Sequence, residues 1–183
     1  MSETKNIHGY DLAPLYSLQE IRKRVKQLGE EISYNFRNEI PIFIGVLNGS
    51  FIFLADLLRE LKIDCEMDFI KLSSYNRTHS TGTVHLLKDI SADITGRHII
   101  IVEDIIDSGL TIRFLKNRLE DASPKSITTV SMLYKPNVAK LDFSIDYIGF
   151  EIPSDYVVGY GLDVNQKLRH LPGIYKLEND IKK

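Results

Sequence analysis

The chain has 183 residues, 43% hydrophobic and 26% charged, an ordinary globular composition with enough length to bury a substantial core. A net charge of −2 gives no general attraction to nucleic acid or anionic membranes, and the basic pair Lys182–Lys183 is too short to supply one. Cys65 is the single cysteine, so no intramolecular disulfide can form. Its acidic neighbours Asp64, Glu66 and Asp68 would raise a thiol pKa and argue against a catalytic thiolate. The opening residues lack the apolar core of a signal peptide and no apolar run approaches membrane-spanning length, so a soluble, cytoplasmic protein is expected.

Ser17 and Glu20 have capping-box spacing ahead of an apolar stripe, Ile21, Val25, Leu28 and Ile32, which predicts a first helix. Pro41 leads into Ile42–Leu47, a buried strand. Asn48-Gly49-Ser50 then turns the chain into a second helix with Phe51, Leu54, Leu58 and Leu61 on its inner face. Residues 66–72 alternate acid and apolar side chains, as in a strand with one wetter face. From Ser73 to His85 the sequence becomes polar, and a loop of that length in a compact domain reads as a functional lid, about 73–85.

Residues 99–102 are four apolar, mostly β-branched side chains without alternation, a strand buried on both faces of a parallel sheet. Glu103 and Asp104 stand together at its end, followed by Asp107-Ser108-Gly109-Leu110-Thr111, a tight turn into a helix carrying Ile112, Leu115 and Leu119. Backbone N–H groups at such a helix start form an anion site beyond the carboxyl edge of the sheet. The two acids would repel a bare phosphate and suit sugar hydroxyls or a divalent cation better. A plain strand, turn and Asp107 N-cap explains the isoleucines and Asp107, but not the adjacent acids.

A strand over 127–133 follows Pro124, and 146–150 and 156–160 are short strand candidates around Pro153-Ser154-Asp155, arranged like a hairpin edge. The strand–helix alternation predicts one α/β domain over 1–183, with a mainly parallel twisted sheet flanked by helices and a small subregion from both chain ends. Gly45–Ser50 is similar to a phosphate loop but lacks the Walker spacing and lysine, which argues against a nucleotide triphosphatase; its place at a strand end permits a second anion site. Lys135 reads either as a solvated loop residue or as a cation donating to a ligand carbonyl. Tyr156 reads as core or as a stacking face, and Tyr160 as core. Asp163 fits a Mg²⁺ ligand, and Arg169 fits either a surface charge or a bidentate phosphate contact.

Glu103-Asp104 with Asp107-Ser108-Gly109, then Lys135, Tyr156-Val157-Val158-Gly159-Tyr160, Leu162-Asp163 and Arg169, together with the segments Ser73-Ser74-Tyr75 and Ser80-Thr81-Gly82, carry a specific pattern. On these residues the chain resembles the hypoxanthine(-guanine) branch of the type I phosphoribosyltransferases, from about residue 10 to 178. The resemblance implies a Mg²⁺-dependent exchange of pyrophosphate for a 6-oxopurine at ribose C1 of phosphoribosyl pyrophosphate. It implies that Glu103 and Asp104 hold the ribose hydroxyls, directly or through the metal. Asp107 would be general base or acid at purine N7, and residues 108–111, including Leu110 and Thr111, would hold the 5′-phosphate. Leu47, Asn48 and Gly49 would bind pyrophosphate around a Leu47–Asn48 cis peptide, together with Arg169. Lys135 would donate to O6, Tyr156 would stack on the base and Val157 would line its pocket.

The resemblance further assigns Asp163 to the purine pocket and, with Glu103 and Asp104, to Mg²⁺, places Ser74 and Tyr75 on the closing lid, and implies a homodimer or homotetramer. Asn48 and Leu110 stand where many relatives carry lysine, so at Asn48 only the backbone role carries over. An RNA-binding regulator with the same fold would want a basic face that this chain lacks. Xanthine- or pyrimidine-using transferases remain enzymatic alternatives, whereas adenine would set a donor against the Lys135 donor.

Overall fold

The computed structural model describes residues 4–74, 84–139 and 141–178. Helix α1 (Leu18–Asn35) begins in a complete capping box: the Glu20 N–H donates to Ser17 Oγ at 3.3 Å, and the Ser17 N–H donates to Glu20 Oε2 at 2.8 Å. Its predicted stripe, Ile21, Val25, Leu28 and Ile32, is buried. Strand β3 (Ile42–Leu47) leads to α2 (Phe51–Glu60), β4 (Glu66–Ser74), β5 (Val84–Lys88), β6 (His98–Ile106), α3 (Leu110–Glu120), β7 (Ser126–Tyr134) and β8 (Tyr147–Glu151). These strands form one sheet in the order β5-β4-β3-β6-β7-β8, parallel throughout except for β5 against β4.

The unalternating run of β6 is explained by its two neighbouring layers. Ile100 and Val102 join Phe43, Val130 and the buried faces of α1 and α2 on one side. Ile99 and Ile101 join Ile42, Ile44 and the α3 residues Ile112, Leu115 and Leu119 on the other. A second, antiparallel sheet in the order β1-β2-β10-β9 is built from both chain ends: β1 (Lys5–Ile7), β2 (Tyr10–Tyr16), β9 (Val157–Val158) and β10 (Ile174–Leu177). It closes over a small cluster of Leu12, Val158, Val164, Leu168, Leu171 and Leu177.

Four expectations are corrected. Helix α2 buries Leu54 and packs Leu58 and Leu61 half-buried against the same core, as expected, but it also buries Phe53 and Leu57, while Phe51 is exposed. Its sequence is apolar nearly all round, so periodicity does not select the face; packing against α1 and β3 does. The segment 73–85 is not all loop: β4 continues through Ser74, and His85 pairs with Ser73 in β5. The rest of the expected lid, including Tyr75 and Ser80-Thr81-Gly82, lies outside the described residues. Strand β6 runs four residues past Val102, because Ile105 and Ile106 still pair with Leu133 and Tyr134 of β7. Finally, β8 and β9 belong to different sheets and form no hairpin.

Leu54 is the contact that seats α2 on β3: a Cβ at Gly45 would lie 2.7 Å from its Cδ2. Leu54→Ala is expected to cost about 2–5 kcal/mol through the lost burial and the cavity left behind, read as a lower urea midpoint with an unchanged slope.

Candidate active site

The acids lie inside the last turns of β6 rather than beyond it. Glu103 sits opposite Ser131 of β7 and is buried, and its Oε2 has no hydrogen-bond partner among the described residues. Burial, reinforced by the charge of Asp104, pushes its carboxyl pKa well above the ordinary range. Asp104 accepts the Ile105 N–H at 2.9 Å. Burial and the nearby Asp163 raise its pKa to about 6, against the lowering effect of the backbone N–H groups and of Arg169. Two buried carboxylates, one without a partner, form a site set up for something that brings its own positive charge or donors.

The backbone at Gly49 packs on the Asp104 carboxylate, and the backbone at Gly161 packs in turn on Gly49. A Cβ on Gly49 would collide with Asp104 Oδ2, and a Cβ on Gly161 would collide with the Gly49 carbonyl. Only glycines allow this approach, and Gly161 also has φ 100°. The Leu47–Asn48 peptide is cis, as the resemblance implies. Ser50 closes the turn, its hydroxyl donating to the Val46 carbonyl at 2.7 Å.

Beyond β6 the chain turns into α3 as expected. Gly109, at φ 82°, is the N-cap of α3, and the helix's first internal bond is from the Arg113 N–H to the Gly109 carbonyl at 3.0 Å. The first-turn N–H groups ahead of Arg113 therefore face the turn rather than the helix. Asp107 does not cap the helix, which corrects the plain reading of that residue. It reaches instead to Lys135, Oδ2 to Nζ 3.0 Å. Lys135 is only 7% exposed, and its N–H donates to the Ile106 carbonyl at 3.0 Å, so the solvated-loop reading of this lysine fails. Asp107 is its wetter partner, with a side chain 52% exposed.

The arm after β9 brings the remaining residues to the same edge. Arg169 pairs with Asp163 at 2.6 Å and donates to the Gly161 carbonyl at 2.8 Å and to Gln166 Oε1 at 2.9 Å. The Gln166 N–H donates to the other Asp163 oxygen at 2.8 Å. Tyr156 is 49% exposed, with its hydroxyl donating to the Asp163 carbonyl at 3.0 Å, so its ring faces solvent rather than core. Val157 is buried, and Tyr160 is core as expected.

Among the described residues no group of three or more His, Cys, Asp or Glu side chains forms a ready metal cluster. Asp163 is held by Arg169, which leaves Glu103 and Asp104 as the adjacent acid pair. Ser74 ends β4, and Tyr75 lies outside the described residues. Sequence reasoning missed Gln166 and Gly161; the glycines flanking Tyr160 were the only sign that backbone approaches backbone there. Burial and Asp64 push the Cys65 thiol up, in keeping with an inert cysteine. Among the described residues no helix is long and apolar enough to cross a membrane.

A parallel sheet with a glycine-capped helix start after its central strand, an acid pair beside it and a glycine turn from the next strand is the arrangement of the phosphoribosyltransferase class of α/β proteins. The phosphoribosyl transferase domain family matches residues 13–166, and the chain belongs to that family. The hypoxanthine-guanine phosphoribosyltransferase of Bacillus subtilis (strain 168) is 45% identical over 161 residues, 87% of this chain and 89% of its own. The hypoxanthine phosphoribosyltransferase of Escherichia coli (strain K12) is 42% identical over 161 residues, covering 86% and 90%. The solved structure of hypoxanthine phosphoribosyltransferase from Trypanosoma cruzi, in complex with the product IMP, superposes with a TM-score of 0.87 at 35% identity, covering 97% of this chain and 99% of that one.

The raised Asp104 pKa has a consequence for stability. In the unfolded chain this carboxyl titrates near its ordinary value of about 3.9, and in the fold at about 6, so the folded state binds the proton more tightly. Its contribution is greatest below about pH 4 and is lost as pH rises through 6. In metal-free protein, Asp104→Asn should therefore be more stable than the parent at pH 7.5, by about 3 kcal/mol, with the difference vanishing below pH 4. Chemical denaturation across pH 4–8 checks this.

Proposed function

We propose that this chain is a purine-salvage enzyme that transfers the 5-phosphoribosyl group from phosphoribosyl pyrophosphate to hypoxanthine, and to guanine, giving the nucleoside monophosphate and pyrophosphate. The observation that carries the base specificity is the Lys135–Asp107 pair, a buried ammonium 3.0 Å from a wetter carboxylate at the turn into α3. A 6-oxopurine presents the complementary edge, an O6 acceptor beside an N7–H donor. The names of the relatives point to the same substrates.

On this reading Lys135 donates to O6 while the base stacks on the exposed Tyr156 ring, with Val157 lining the pocket. As N9 bonds to ribose C1 and the bond to pyrophosphate breaks, Asp107 takes the N7 proton. The N–H groups of Ser108, Gly109, Leu110 and Thr111 hold the 5′-phosphate. Leu47, Asn48 and Gly49 offer backbone groups, and Arg169 its guanidinium, to the leaving pyrophosphate. Glu103 and Asp104 hold the ribose hydroxyls, and their negative field favours the developing oxocarbenium charge on the sugar.

The donor set also fits Mg²⁺: Glu103 Oε2 is buried and unpartnered among the described residues, Asp104 lies beside it, and Mg²⁺ is ordinarily held by one or two carboxylates with substrate oxygens and water. Bound there, with Asp163 as a third acid, Mg²⁺ would offset the charge of the leaving pyrophosphate. Ser74, at the end of β4, and Tyr75, outside the described residues, are read as the lid residues that exclude competing water.

The test is an absorbance assay with phosphoribosyl pyrophosphate, Mg²⁺ and each of hypoxanthine, guanine, xanthine, adenine and uracil. Turnover is expected with hypoxanthine and guanine and absent with adenine and uracil; no turnover with any base would overturn the reading. In the same assay Asp107→Asn should lower kcat by about 10²–10⁴-fold with little change in phosphoribosyl pyrophosphate binding. Lys135→Ala should act chiefly by raising the KM for the base; a change confined to thermal stability would remove Lys135 from the purine site.

A further inference from the structure

Between β9 and Arg169 the backbone runs through three consecutive residues of positive φ: Gly159 at 93°, Tyr160 at 50° and Gly161 at 100°. The glycines accept this freely, but for a tyrosine the left-handed region is unfavourable and must be held from outside. Tyr160 is held at three points. Its ring, 3% exposed, is buried in the core beneath α1 and α2. Its N–H donates to the Leu171 carbonyl at 2.8 Å. Its hydroxyl donates to Asp56 Oδ2 at 2.8 Å. Burial and the Asp56 carboxylate push the phenol pKa up, so the hydroxyl remains a donor at neutral pH.

Asp56 lies on α2, the helix that begins directly after the Leu47–Gly49 turn, and its other oxygen pairs with Arg59 on the next turn. Gly161, the neighbour of Tyr160, rests on the Gly49 carbonyl and receives the Arg169 guanidinium on its own carbonyl. The pyrophosphate turn and the Asp163–Arg169 arm therefore meet at a packing contact between two glycines, and just behind it the hydroxyl of one segment is bonded to the carboxylate of the other. We infer that Tyr160 and Asp56 form a positioning pair that fixes the spacing between the 47–49 turn and the 161–169 arm, and so sets the affinity for the pyrophosphate end of the substrate. This rests on the phosphoribosyl-transfer reading above. The base pocket is held by other bonds, Val157 through its pairing with β10 and Lys135 through Asp107.

Tyr160→Phe keeps the ring and removes the hydroxyl. Its Kd for phosphoribosyl pyrophosphate with Mg²⁺, measured by calorimetry, and the corresponding KM are expected to rise about five- to tenfold, the loss of one hydrogen bond's worth of positioning. The KM for hypoxanthine should stay within about twofold, and Tm within a few degrees. Asp56→Asn retains an acceptor for the hydroxyl and should remain within about twofold of the parent, Asp56→Ala should match Tyr160→Phe, and the double variant Tyr160→Phe/Asp56→Ala should be no worse than either single one.

An unchanged affinity in Tyr160→Phe, an equal rise for both substrates, or an Asp56→Asn variant as weak as Asp56→Ala would overturn the inference. If Tyr160→Phe does not fold, the Asn and Ala variants at Asp56 decide alone. A parent protein that binds phosphoribosyl pyrophosphate but turns over no purine would refute the functional reading instead, and calorimetry would still report on the pair.

Discussion

The arrangement of the site follows from one unfavourable interaction, the burial of two adjacent carboxylates on the central strand of the sheet. Strand β6 pairs with β3 as far as Val102 and with β7 from His98 to Ile106, with Glu103 opposite Ser131, so the backbone carrying the two acids is fixed by the sheet. The surrounding chain accommodates them without neutralising them. Gly49 leaves room for the Asp104 carboxylate, and the N–H of Ile105 satisfies one of its oxygens. Glu103 keeps an oxygen unpartnered among the described residues. A fold that keeps such a pair retains a local instability that a bound cation or hydroxylated sugar can relieve.

The cations of the site sharpen that point. Lys135 is paired with Asp107 and Arg169 with Asp163, at 3.0 and 2.6 Å, so both site cations are already balanced before any ligand arrives. Position 48 adds an amide rather than an ammonium. The acids left over are Glu103 and Asp104; burial holds their pKa values up, and the charge they carry when ionised is negative. A polyanion such as phosphoribosyl pyrophosphate would enter against this field unless accompanied by a divalent cation, which gives the proposed Mg²⁺ requirement an electrostatic basis beyond family precedent.

Most of the large sheet was legible because its signals are local. The capping box at Ser17 and Glu20, the four-residue apolar run of β6 and the acids followed by a hydroxylated glycine turn each state their structure within a few residues. What was not legible depends on distant partners. Strands β1 and β2 carry little periodicity and exist because β10, more than 150 residues later, supplies the other half of their sheet. On α2 the stripe of Leu54, Leu58 and Leu61 was legible, but Phe51, Phe53 and Leu57 offer apolar positions in other directions, and packing against α1 decides which of them are buried. Lys135 reads in sequence as an exit residue before a proline; its burial follows from Asp107, 28 residues earlier, facing it across the sheet edge. The candidate residues at 103–111 stand in one contiguous motif and those at 47–49, 135, 156–157, 163 and 169 rest on the family resemblance, whereas Gln166 and Gly161 are tied to this edge only through contacts with other segments.

On the proposed reading, the Lys135–Asp107 edge discriminates through an asymmetry in hydrogen-bond energetics. A 6-oxopurine completes both partners, whereas adenine would set an exocyclic amine against a buried ammonium that can only donate. Losing one hydrogen bond in water is a small matter, but setting a second donor against a lysine only 7% exposed leaves the N–H groups not taken by Asp107 without an acceptor, at a desolvation cost. Sites built to pair a particular polar group reject analogues that cannot do so by about 10⁴–10⁵-fold, far beyond what shape alone achieves in an apolar pocket. The burial of Lys135 is therefore what makes its charge selective: the same ammonium in solvent would tolerate either base.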